Sequence, residues 1–141
     1  MTDMACRPFP DDAELRVAAT SVRGMERPLN EWERGVMSRL ASVEHPAAAL
    51  VQESFPHLVV TDVCGCGCPS FNVRDLRFPQ QPHKLEHHAN GWTPDNNFGF
   101  ALWTGPDGRP ISVDLFDNRP EGSPPDWPHP DSLIVEAANG L

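Results

Sequence analysis

Basic residues are scarce in this chain: eleven lysines and arginines stand against twenty aspartates and glutamates, a formal net charge of -9 at pH 7. No dense Lys/Arg cluster relieves that balance, so repulsion from phosphates and anionic lipid is uncompensated, and neither nucleic acid nor membrane is expected as a partner. Long apolar runs are also lacking. No stretch approaches the length that spans a bilayer, and the opening MTDMACRPFPDDAELRV has no basic segment leading into an apolar one, which points to a cytoplasmic protein. Catalytic signatures are missing too, with no G-x-S-x-G elbow, P-loop, dinucleotide fingerprint or H-E-x-x-H. Cysteine is limited to four residues, which a reducing compartment would keep as thiols or metal ligands rather than a disulfide framework.

What the chain does contain is turn chemistry. Sixteen prolines and ten glycines in 141 residues imply one domain of ordinary size with much irregular structure. Residues 1–28 read as an N-terminal extension and 29–141 as a single domain ending in a Pro-rich tail. Asn30 and Glu33 have the spacing of a capping box, so a helix is expected to about Leu40. Trp32, Val36, Met37 and Leu40 form its apolar stripe, with Glu31, Glu33, Arg34 and Arg39 toward solvent. Pro46 suits the first turn of a second helix through AAALVQES, which Pro56 ends.

Beyond Pro56 the period changes. HLVVTDV is β-branched and too short for another helix, so it predicts a strand, with SFNVRDL as its partner across a cysteine-rich bend. FGFALW and ISVDLF alternate apolar and small or polar residues around Pro106-Asp107-Gly108, which predicts a hairpin that buries Phe100 and Val113. In the long connection between the two pairs, Pro82 is expected to open a short helix that stops at Asn90-Gly91. After Phe116, the prolines of DNRPEGSPPDWPHPDSL forbid a central strand and suggest an extended tail that packs Trp127 on the body. The expected architecture is α+β: N-terminal helices packed on a mainly antiparallel sheet of about four strands, with a Pro-rich C-terminal tail.

Cys64, Cys66 and Cys68 alternate with Gly65 and Gly67 and precede Pro69. On a regular strand such neighbours lie roughly 6.6 Å apart. Sulfurs on one zinc, with bonds of about 2.3 Å, would sit roughly 3.8 Å from each other, so the glycines would have to curl the chain. A zinc set can be assembled from Cys64, Cys66, Cys68, His83 and His87, with the two histidines on one face if their segment is helical. Its knuckle is one residue short. Small buried thiols at a glycine-permitted bend are the simpler reading, so no cofactor is expected and zinc is the alternative. Redox chemistry fits less well, since C-x-x-C at a helix start is the usual device. Asp114 and Asp117 form a carboxylate pair near an aromatic strand, a pattern that also describes a solvated face.

CGCGCPSFNV, WTGPDGRPISVDLF and PPDWPHPDSL, in that order, resemble a family of small actinobacterial proteins with a Cys-Gly-rich stretch entering a strand and a D-x-G hairpin. The resemblance runs from about Asn30 to Leu133. It implies the helices-then-hairpins order and carries no assigned activity. The function expected on all these grounds is a non-catalytic protein-binding module, regulatory, inhibitory or immunity-like, that contacts another protein through Trp92, Trp103 and Trp127. A zinc-stabilised Cys/His module and an enzyme with carboxylate or thiol chemistry are the alternatives.

Overall fold

A computed structural model describes residues 21–22, 26–64, 68–78, 85–124 and 126–138. Helix α1 spans Glu31–Ala41 and α2 spans Ala48–Ser54, followed by a 3₁₀ turn at Phe55–His57. The strands are β1 (Ser21–Val22), β2 (Arg27–Pro28), β3 (Leu58–Cys64), β4 (Phe71–Asp75), β5 (Glu86–Trp92), β6 (Phe98–Thr104), β7 (Pro110–Asp117) and β8 (Ile134–Ala137). All eight join one antiparallel sheet in the order β1-β3-β4-β7-β6-β5-β8, seven abreast, with β2 also along β3. Among the described residues no helix is long and apolar enough to cross a membrane.

The capping box is formed as its spacing predicts. Asn30 Oδ1 accepts from the Glu33 backbone N–H at 2.8 Å, and Glu33 Oε1 accepts from the Asn30 N–H at 2.9 Å. Arg27 of β2 then grips the same carboxylate with two bonds of 2.8 Å, which is why Glu33 is buried rather than turned to solvent. Arg39 likewise leaves the solvent face, because its guanidinium donates to the Leu133 carbonyl. The apolar stripe holds: Val36, Met37 and Leu40 are fully buried against β5, β6 and β8, each worth roughly 1.5–3 kcal/mol of burial.

The predicted hairpin is present. β6 and β7 pair antiparallel from Phe98↔Asp117 to Thr104↔Pro110, and Phe100 and Val113 are both buried. β3 and β4 pair on either side of the cysteine bend, of which residues 65–67 lie outside the described set. Within the 1–28 extension, β1 and β2 pair with β3.

The α+β expectation of about four strands and a Pro-rich tail is overturned. Among the described residues the molecule is mostly one wide antiparallel sheet, eight strands with two short helices. Part of the missing width is β5, where a helix ending at Asn90-Gly91 had been expected. The strand forms because Ala89 and Gly91 face α1 and let it approach: a Cβ on Gly91 would lie 3.1 Å from Leu40. The rest is β8. The Pro-rich stretch is a connection and not a tail: it docks a 3₁₀ turn, Pro130–Ser132, on α1 and returns as β8 to pair with β5.

Candidate functional site

Directly paired residues of an antiparallel sheet point to the same side, so the registers assign every strand position to one of two faces. Phe71, Ala89, Gly91, Phe100, Leu102, Val113 and Leu115 face the helices and form the core. The opposite face carries no helix among the described residues. It is crossed by two cross-strand rows of different character.

The first row is polar. It runs Asp62↔Asn72↔Ser112↔Trp103↔His87 over five adjacent strands, β3, β4, β7, β6 and β5. Asp62 Oδ2 accepts from Thr61 Oγ1 at 3.0 Å and from Asn72 Nδ2 at 3.3 Å. The Trp103 ring stacks on His87, centroids 4.7 Å apart, and its Nε1 donates to Asp114 Oδ2 at 3.0 Å. Asp62, Asn72, Ser112 and Asp114 are all buried. Ser112 Oγ and His87 Nε2 are buried without a hydrogen-bond partner among the described residues, so a small polar molecule there would satisfy atoms that otherwise cost stability.

The second row is apolar. It runs Phe116↔Gly99↔Trp92↔Ile134 from β7 to the edge strand β8. Phe116 and Trp92 are half-buried and Ile134 is 44% exposed. The Phe116 side chain lies over Gly99, where a Cβ would stand 3.7 Å from its ring.

Of the three tryptophans proposed for partner contact, Trp92 and Trp103 therefore share the open face, while Trp127 does not. It lies in the Pro-rich connection and packs edge-on against Phe98 at 6.1 Å, with the Arg119 guanidinium 5.7 Å above its ring. Phe98 belongs to the helix-side core.

The proposed zinc ligands are less fully placed. Cys66 and His83 lie outside the described residues. Cys64 is buried at the end of β3, and Cys68 Sγ donates to Ser70 Oγ at 3.5 Å, the same oxygen that accepts from the Leu115 N–H at 2.8 Å. His87 sits on a strand, so the helical turn that would have brought it beside His83 does not exist at its end. Among the described residues no group of three or more histidine, cysteine or acidic side chains is disposed to hold a metal ion. Asp114 and Asp117 do not act together: Asp114 is buried beside the polar row, where it accepts from Trp103, and Asp117 is bound by Arg119 at 2.9 Å, which holds its carboxyl below the usual range.

Sequence reasoning missed the polar row and a histidine pair. Asn72 and Ser112 read as solvent-facing alternation, and only the pairing of four other strands shows that they are enclosed. At the irregularity between His87 and Ala89, His88 is set between paired positions and turns its ring onto His45 of the α1–α2 connection, centroids 4.3 Å apart. Its two ring nitrogens are buried without hydrogen-bond partners among the described residues. Burial, and then the nearby His45 and His87, push its pKa down to about 4. In comparison with known proteins, the chain matches no family model, no curated protein and no solved structure.

Proposed function

We propose that this protein is a non-catalytic protein-binding module, of the regulatory, inhibitory or immunity-like kind, that receives a basic partner protein on the open, apolar end of the sheet face opposite its helices. The observation that carries this reading is the row Phe116–Gly99–Trp92–Ile134, three large apolar side chains lined up across four strands on a face that carries no helix among the described residues. Aromatic anchors of this kind dominate binding energy when a partner excludes water from them. The charge of -9, with Glu136 exposed beside the row, favours a basic partner and disfavours nucleic acid.

The test is affinity capture from host lysate with the wild-type chain and with Trp92→Ala, followed by identification of retained proteins. A single basic protein held by the wild type and lost from Trp92→Ala supports the reading. Equal retention by both chains, or turnover of a small molecule by the purified protein, overturns it. One observation favours an enzyme as the second reading: Ser112 Oγ and His87 Nε2, without a hydrogen-bond partner among the described residues, lie in one cross-strand row with the Asp62 carboxylate. That reading requires a turnover that Ser112→Ala abolishes.

A further inference from the structure

The apolar row ends on a sheet edge that no other described strand covers. Among the described residues β8 pairs only with β5, leaving the backbone donors and acceptors on its outer side without a neighbouring strand. Sheet edges are commonly guarded by a proline, a lysine or a bulge, because an open edge is a template for another chain. The opposite side of the sheet has such guards: two short strands cover β3, and one of them consists of Arg27 and Pro28. β8 has no proline, lysine or bulge: its sequence is Ile-Val-Glu-Ala, Glu136 is its one charge, and its register with β5 is regular from Trp92↔Ile134 to Ala89↔Ala137.

We infer that β8 is the docking edge for an extended segment of a basic partner protein, which adds to the sheet as a further antiparallel strand. This rests on the open-face reading above and specifies how the partner engages it. Pairing fixes what the segment must carry. Ile134 and Glu136 point to the open face and Val135 and Ala137 to the helix side. The residue opposite Glu136 is therefore lysine or arginine, and those opposite Ile134, Val135 and Ala137 are apolar. Main-chain bonds supply the affinity and these alternate side chains the selectivity. The partner strand also prolongs the row of Phe116, Trp92 and Ile134 by one position, so edge and face form one surface.

The probe is the acetylated, amidated peptide Thr-Val-Lys-Val-Val-Thr, with glutamate replacing lysine as the control, titrated to millimolar concentration into the full chain and followed through its backbone amides. The lysine peptide should shift the amides of Ile134–Ala137 and slow their exchange, binding up to about fivefold tighter than the control, one cross-strand ion pair's worth. Glu136→Lys should reverse that preference. The inference is overturned if neither peptide perturbs β8, if Glu136→Lys leaves the preference unchanged, or if β8 is already protected in a dimer of the free protein, which would make a second copy the occupant. Loss of capture in Trp92→Ala with an unresponsive β8 would sink the edge and spare the face; peptide binding at β8 with Trp92-independent capture would do the reverse.

Discussion

His88 is the residue whose setting departs furthest from what its chemistry prefers. An imidazole in water bonds through both nitrogens, and here both are enclosed without a hydrogen-bond partner among the described residues while the ring lies on a second imidazole. A positive charge at that position loses its hydration and faces His45, so the folded state holds His88 neutral and its pKa falls from 6.5 to about 4. The unfolded chain takes up this proton near pH 6.5, well before the folded chain does. Between those values the unfolded state binds more protons, so stability is at its full value above pH 6.5 and declines as the solution is acidified toward pH 4. Stability measured by urea unfolding should fall by about 2 kcal/mol between pH 7 and pH 5, and His88→Phe should remove most of that slope. An unchanged slope in His88→Phe would mean that another group controls the acid limb. The same residue illustrates the limit of local pattern: HKLEHH reads as a polar helix face, and only the strand on either side, with its irregularity at this point, sends the second histidine of the pair inward.

At the scale of elements, the hairpin was legible because its signals are local, a proline, an Asx turn and a left-handed glycine between two alternating runs. Gly108 has φ +88, and the turn is further fixed from outside, since a Cβ there would lie 3.1 Å from Leu50 and 3.3 Å from Ala47. Gly108→Val therefore meets two penalties, a left-handed β-branched residue and a clash with α2, together about 2–4 kcal/mol. Thermal unfolding separates them: Gly108→Asn keeps the left-handed conformation accessible and should cost less, and Leu50→Ala in the Gly108→Val background should recover the steric part. Full additivity of Leu50→Ala and Gly108→Val would show that the turn does not press on α2. β5 and β8 were illegible for the opposite reason. β5, EHHANGW, lacks a strand-like composition and β8, IVEA, is only four residues long after a proline-rich run; each exists because a neighbour saturates its backbone and a helix covers its small residues, facts stored in distant parts of the chain. The apolar row of the candidate site inherits that difficulty, because Phe116 and Trp92 become neighbours only through Gly99 of an intervening strand and Ile134 only through β8.

The whole molecule is closed by its C-terminal third, which binds the N-terminal helix and the sheet edge together. Trp32 Nε1 donates to the Pro128 carbonyl at 2.9 Å, Arg39 donates to the Leu133 carbonyl, and β8 pairs with β5 just beyond. Contact between α1 and the 3₁₀ turn is close enough to need a glycine: a Cβ on Gly35 would stand 2.9 Å from Pro130 Cγ and 3.1 Å from its Cβ. From sequence, Gly35 reads only as a weak point in a helix. Gly35→Ala sets two effects against each other. Helix propensity favours alanine by about 1 kcal/mol, while a methyl pushed into a rigid proline ring costs about 1–3 kcal/mol if the ring cannot move. The ring has little freedom, because Pro130 is buried and its neighbours are held by the Pro128 and Leu133 bonds. The steric cost should therefore win, with a small net loss of thermal stability. The distribution of that loss is the sharper observation. Displacing the 3₁₀ turn acts first on β8, so amide exchange should quicken at Ile134–Ala137 and along the paired side of β5 while β3, β4 and β7 keep their protection. A gain in stability with unchanged β8 exchange would show that the connection yields freely, and that α1 does not hold the edge strand in place.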